Sequence, residues 1–222
     1  MITRFRDRVE AGGLLAEKLD GYANQPGVLI LGLPRGGVPV AAEVARKLQA
    51  PLDVFVVRKL GVPGQEELAM GAIALGGIRV INREVVEHLR ISDEVIASVA
   101  ADEQRELERR EREYRGSLAS PDVQGKTVIV VDDGIATGST MLAAVAALRK
   151  LQAGRIVVAA PTVAPPTFFQ IERTADEIVA VIVPEHFHGV GQWYEDFLQT
   201  TDEEVRRVMA QRGARLQRIE EG

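Results

Sequence analysis

Five short runs of almost uninterrupted apolar residues constrain this chain more than any other feature. They are residues 28–32 (VLILG), 53–57 (DVFVV), 127–131 (TVIVV), 155–160 (RIVVAA) and 177–183 (EIVAVIV). Runs of this length, rich in β-branched residues, read as strands, and the lack of polar alternation means that both faces are covered. Helical stretches at 38–48, 139–151 and 166–173 lie between them. Strand–helix alternation predicts an α/β fold around a parallel sheet, with ligands at the carboxyl ends of the strands. With 222 residues, 46% of them hydrophobic, the chain supplies one sizeable core. No internal repeat or low-complexity linker divides it, so one domain over residues 1–222 is expected.

Composition removes several classes of function. The net charge is −5 and no long basic block occurs, which argues against a nucleic-acid partner. There is no cysteine, so disulfides and thiolate metal sites are excluded, in keeping with a reducing cytoplasm. The start, MITRFRDRVEAGG, lacks the apolar core of a secretory signal, and no apolar run approaches membrane-spanning length. The expectation is a soluble cytoplasmic protein with no membrane partner.

Two segments interrupt the alternation. Residues 60–80 carry a Pro-Gly pair and many glycines between short apolar runs that suit a hairpin. Residues 92–115 become almost wholly charged, with Glu106/Arg110, Glu108/Arg112 and Glu111/Arg115 spaced four apart, acid first, the favourable helical order. A solvated helix face is the expected reading, and a contact between two copies of the chain is the alternative.

The chemistry concentrates in 128–140, VIVVDDGIATGST. Asp132 and Asp133 fall at the end of an apolar strand, and Ser139 and Thr140 open the next helix. An isolated DDG commonly caps a tight turn, but here small residues and hydroxyls follow it. The amides of Ala136, Thr137, Gly138 and Ser139 converge on a helix start, which is an anion site, and Thr137, Ser139 and Thr140 add hydroxyl donors. Two carboxylates so close would repel that anion, so they must serve another part of the ligand, and acceptor-only groups suit vicinal hydroxyls. A sugar bearing a terminal phosphate satisfies both halves.

This motif resembles the signature of the type I phosphoribosyltransferases: four apolar residues, two acids, small residues, then Thr-Gly and a further hydroxyl. The resemblance covers roughly residues 27–185. It implies that fold: a three-layer parallel-sheet α/β domain with a flexible loop, here about 60–80, and a small hood with a terminal helix, here about 184–222. It further implies that Asp132 and Asp133 hold the ribose 2′- and 3′-hydroxyls of phosphoribosyl pyrophosphate. Ala136, Thr137, Gly138, Ser139 and Thr140 would wrap its 5′-phosphate.

Two upstream stretches suit the same ligand. In GLPRGGVPVA, residues 32–41, Gly36 and Gly37 would leave amides open and Arg35 would add charge, although a plain strand-to-helix turn fits as well. The stretch resembles the family's pyrophosphate loop, which implies a non-proline cis peptide at Pro34–Arg35. Arg58 and Lys59 follow the second strand, where consecutive cations commonly mark an exposed strand end. Beside the other two sites they resemble pyrophosphate contacts. The segment after them stands where the family has its catalytic loop, but carries Gln65, Glu66 and Glu67 and no cation over 60–77, unlike orotate-type members.

The activity implied is displacement of pyrophosphate by a nucleobase or another small nucleophile, with Mg²⁺ held mainly by ligand and water. Asp132, Asp133, Arg58 and Lys59 are the residues expected to carry the transfer. Ala136 stands where 6-oxopurine members have a third aspartate and resembles adenine-type members instead; the acceptor stays open among purine, pyrimidine and other. Phe187, Trp193 and Tyr194, in the hood segment, are the candidates to stack on a base. Glu185, His186 and His188 lack further spaced ligands and read as loop residues. The amino-terminal RVEAGGLLAEKL reads as a helix packed on the sheet and is assigned no chemistry. The alternative function is a non-catalytic sensor of phosphoribosyl pyrophosphate or a nucleotide, which the uncharged loop would suit.

Overall fold

The computed structural model describes residues 4–74, 77–116 and 120–220. Its centre is a five-stranded parallel sheet in the order β2-β1-β6-β7-β8: β1 Val28–Gly32, β2 Leu52–Val54, β6 Thr127–Val131, β7 Arg155–Thr162 and β8 Glu177–Ile182. The helices are α1 Arg8–Lys18, α2 Gly37–Leu48, α3 Arg83–Leu89, α4 Asp93–Arg115, α5 Ser139–Lys150, α6 Pro165–Glu172 and α7 Asp202–Glu220. Among the described residues no helix is long and apolar enough to cross a membrane.

The apolar runs produce three layers because successive strand residues point to opposite faces. Val28, Ile30, Ile129, Val131, Val157 and Ala159 pack with Leu15, Val40 and Val44 of α1 and α2. Leu29, Leu31, Val128, Val130, Ile156 and Val158 pack with Ala144, Val145 and Leu148 of α5 on the other face. A sheet covered twice has no solvent face to make polar, which is why its strands do not alternate.

The register levels the strand ends. Gly32 pairs with Val54 on one side and with Val131 on the other, and Val131 pairs with Ala159. After β1 the chain turns outward to β2, while after β6 it turns the opposite way to β7 and β8. The crevice between the ends of β1 and β6 is therefore the topological switch point, the favoured ligand position in an open α/β sheet.

One expectation is corrected, and two others gain detail. The second apolar run is split: β2 ends at Val54, and a new strand, β3 Val57–Val62, begins the antiparallel sheet β3-β4-β5 with β4 Gln65–Ala74 and β5 Ile78–Ile81. Arg58 and Lys59 thus lie inside a strand and not at a strand's end. The glycine-rich stretch expected to suit a hairpin forms one, with a third strand beside it, turning at Gly64 with φ +79°. The charged helix α4 has the expected solvated face and buries the opposite one. It buries Ala100, Leu107 and Tyr114 against Leu60, Val62 and Met70 of the small sheet and against Val205 and Met209 of α7.

Of the spaced pairs on α4, Glu106 and Arg110 meet at 2.7 Å, while Glu108 accepts a hydrogen bond from Gln104 at 2.7 Å. Arg115 turns inward and meets Asp53 of β2 at 2.8 Å, with side-chain exposures of 3% and 0%. The hood segment folds back over the sheet to the amino terminus. Phe5 bridges Tyr194, its amide donating to Trp193 C=O at 2.8 Å and its carbonyl accepting from the Glu195 amide at 2.8 Å.

Candidate active site

The switch-point crevice is built from two turns pressed together. Leu33 donates its amide to Val131 C=O at 2.9 Å, which holds the turn after β1 against the end of β6. The peptide Pro34–Arg35 is cis. A Cβ on Gly36 would stand 1.9 Å from Asp133 Oδ2, and one on Gly37 would stand 2.5 Å from Val131 C=O. Both positions must lack a side chain because the turn after β6 occupies that volume. Gly36→Ala is expected to displace Asp133 and to lower the unfolding midpoint while cooperative unfolding is retained; a denaturant melt checks this.

The turn does not offer two open amides. Gly37 donates to Leu33 C=O at 3.1 Å as it enters α2, whereas the Gly36 amide has no acceptor among the described residues. Arg35 lies partly exposed at the crevice, 3.8 Å from Asp202.

Asp132 and Asp133 sit beneath this turn. The Asp133 amide donates to Asp132 Oδ1 at 2.9 Å, and the Asp132 amide donates to Ala159 C=O at 3.2 Å. Burial and the neighbouring Asp133 charge push the Asp132 carboxyl well above the usual range. Burial also raises Asp133, opposed by the Arg8 guanidinium. Arg8 Nε and Nη2 both reach Asp133 Oδ2 at 2.8 Å.

The segment after Asp133 has the form of an anion cradle. Ile135 is locked to β7, its amide donating to Thr162 C=O at 2.9 Å and its carbonyl accepting from the Ala164 amide at 2.9 Å. Thr167 Oγ1 donates to Ala136 C=O at 2.5 Å. Gly138 has φ +74°, and a Cβ there would stand 2.5 Å from Thr167 Cγ2. Among the described residues nothing accepts from the amides of Ala136, Thr137, Gly138 or Ser139, which surround the start of α5. Thr137 and Ser139 bring their hydroxyls to the same turn, Thr137 Oγ1 3.4 Å from Ser139 Oγ, and Thr140 follows in the first turn of α5.

The two cations of β3 part company, since neighbours on a strand face opposite ways. Arg58 lies on the α4 side with Leu60 and is bound to Glu103 at 2.6 Å. The side chain is turned to α4, where Glu103 already gives it a carboxylate partner. Lys59 lies on the opposite face, with Val57, toward the layer that contains α5.

The aromatic candidates also separate. Tyr194 is buried, with Phe5 at 5.3 Å and Phe197 stacked at 4.9 Å between ring centroids, so its ring is not available to a base. Its hydroxyl donates to Asp133 C=O at 2.6 Å. Phe187 and Trp193 are half-buried, and Val190 between them fills the space where a Cβ of Gly134 would stand.

A cleft of about 410 Å³ opens beside Asp133, lined by Arg8, Arg35, Gly36, Arg110, Phe197 and Thr200 among others. Arg8, Arg110 and Phe197 are not among the candidates that the sequence suggests. The charged run hid Arg110. Arg8 sits in the helix to which no chemistry was assigned, and its Asp-Arg pair at 7–8 is a faint local hint.

The model of the phosphoribosyl transferase domain family matches residues 2–165. "Putative phosphoribosyl transferase Rv0571c" and "Putative phosphoribosyl transferase MT0597", from two Mycobacterium tuberculosis strains, are each 45% identical over 201 residues, 90% of this chain. The chain spans 45% of those relatives' length. The crystal structure of TT1426 from Thermus thermophilus is 41% identical with a TM-score of 0.85, covering 94% of this chain and 98% of that one.

Proposed function

The chain belongs to the phosphoribosyl transferase family, and on that premise we propose that it transfers the phosphoribosyl group of phosphoribosyl pyrophosphate to a nucleobase or another small nucleophile. The observation that carries this reading is the juxtaposition at the switch point. Two carboxylates and a start of α5 with unused amides stand one short turn apart.

In this reading the Ala136–Ser139 amides and the three hydroxyls bind the 5′-phosphate, and Asp132 and Asp133 accept from the ribose diol. The bond from C1 to the pyrophosphate oxygen breaks, the acceptor's lone pair forms the new bond to C1, and the acceptor's proton leaves to water or a nearby base. Positive charge that builds on the sugar is tolerated beside the two acids. Negative charge that builds on the leaving group faces Arg35, the Gly36 amide and the guanidinium-lined cleft. Lys59 remains a candidate for the same role.

Among the described residues no cluster of three or more His, Asp or Glu is placed to hold a metal. A hard divalent ion such as Mg²⁺ fits such a site when phosphates and water supply most of its oxygens, and when bound it would neutralise the leaving pyrophosphate. For the acceptor, Phe187 and Trp193 are the remaining stacking candidates, and Ala136 favours a base other than a 6-oxopurine.

The test is pyrophosphate release from phosphoribosyl pyrophosphate and Mg²⁺ with a panel of purines, pyrimidines and simple amines. Turnover with one acceptor is expected. Silence across the panel would overturn the transfer reading. Tight calorimetric binding together with that silence would favour a sensor, for which the engagement of Arg58 by Glu103 and the absence of cations over 60–77 speak.

A further inference from the structure

We propose that Arg8 is a positioning residue for Asp133, clamped by Phe197 and Tyr194 so that one carboxylate oxygen is held and the other is left for the substrate diol. This rests on the phosphoribosyl-binding reading of the site and adds to it a residue from outside the aspartate motif.

The contacts form a closed ring that joins three distant parts of the chain. Arg8, in the first turn of α1, places Nε and Nη2 on Asp133 Oδ2 at 2.8 Å each and donates from Nη1 to Leu198 C=O at 2.7 Å. Its guanidinium carbon lies 4.2 Å from the centroid of the Phe197 ring. Phe197 stacks on Tyr194, whose hydroxyl returns to Asp133 C=O at 2.6 Å. The aspartate is therefore gripped at its side chain and at its backbone by one connected unit. Only 12% of the Arg8 side chain and 14% of the Asp133 side chain are exposed, so this pair is screened far less than a surface ion pair.

A planar guanidinium suits the position better than an ammonium, because it can donate to one oxygen, donate to a carbonyl and lie on an aromatic face at once. Its charge also opposes the burial that favours a proton on both aspartates. A protonated carboxyl would lose acceptor capacity that the diol needs. The ionisable groups facing Asp133 are Arg8 from α1, Asp132 from its own turn, Tyr194 from the hood segment, and Arg35 and Arg110 across the cleft.

The experiment pairs a ligand-free readout with a binding one. Carbon-13 NMR of the aspartate carboxyls would follow Asp133 in the wild type and in Arg8→Met, Arg8→Lys and Phe197→Leu. Phosphoribosyl pyrophosphate affinity would be measured on the same proteins across a pH series from acid to mildly alkaline, since burial raises the carboxyl. Arg8→Met is expected to move the Asp133 titration upward and to weaken binding about tenfold or more at neutral pH, with the deficit growing as pH falls. Arg8→Lys restores the titration in part but not the full affinity, and Phe197→Leu, which spares the charge, gives a smaller loss in the same direction. An unchanged Asp133 titration in Arg8→Met overturns the proposal. So does unchanged affinity with an unchanged pH profile in a folded variant, even where the wild type binds and the family reading stands. If the wild type fails to bind at all, the phosphoribosyl reading falls, and the carboxyl titration alone decides whether Arg8 controls Asp133.

Discussion

Under the proposed transfer, replacing Asp132 and Asp133 together by asparagine is expected to lower kcat/KM by about 10²–10⁴-fold, the loss of two hydrogen bonds to charged acceptors. Asparagine keeps the shape under Gly36 and Gly37, so the change removes charge without opening a void. If the double variant bound phosphoribosyl pyrophosphate as the wild type does, the ribose role of the pair would be wrong. The single change Asp132→Asn separates function from stability. The Asp132 carboxyl titrates well above 3.8 in the folded protein, owing to burial and then Asp133. The folded state therefore holds a proton that the unfolded chain has released, and the stability linked to it is complete below 3.8 and lost as pH rises through the folded value. At neutral pH a neutral isostere avoids that loss. Asp132→Asn is expected to raise Tm at pH 7 by about 2–4 °C for each kcal/mol regained, with the gain vanishing near pH 3. Opposite movements of Tm and affinity mark a site whose charges serve the ligand and not the fold.

The largest stability effect is expected at the buried pair between β2 and α4. Asp53→Ala removes the carboxylate that faces Arg115 at 2.8 Å and leaves a guanidinium in the core, a change that costs about 3–5 kcal/mol. Urea unfolding at neutral pH measures it directly as a fall in midpoint. Replacing both partners by apolar residues of similar volume is expected to recover most of the loss, since the desolvation of both charges is relieved. An Asp53→Ala midpoint within error of the wild type would show that the pair contributes nothing. The position matters for function too. Arg115 ends the helix whose Arg110 lines the cleft and whose Glu103 holds Arg58, so this pair anchors the back of the site.

Much of the candidate site was legible before the fold was known. VIVVDDGIATGST names a strand, two acids and a helix start within 13 consecutive residues, and local spacing alone puts those groups together. Gly36 and Gly37 were legible as a close turn, although only the packing against Asp133 explains why a Cβ is excluded. The placement of the Arg-Lys pair was not legible, for a local reason. Its apolar run ended three residues early, and once Phe55 and Val56 become a connection, Arg58 and Lys59 enter a new strand and face opposite ways. Tyr194 looked like a stacking residue because aromatic character carries no information about which faces are already covered.

Local encoding accounts for the doubly covered sheet, the succession of its strands and helices, and the aspartate turn, because each follows from short-range periodicity or from backbone demands within a few residues. The polar partnerships came from tertiary packing. Little in the neighbouring residues distinguishes Arg8 among the 27 lysines and arginines; it meets Asp133 because the hood returns to the amino terminus and binds Phe5. Arg115, spaced to serve Glu111 on its own helix, turns instead to Asp53 of β2. The physical reason is the same in both cases. A charged side chain has many equivalent partners along an isolated chain, and burial selects among them by withdrawing water from one pair and leaving it on the rest.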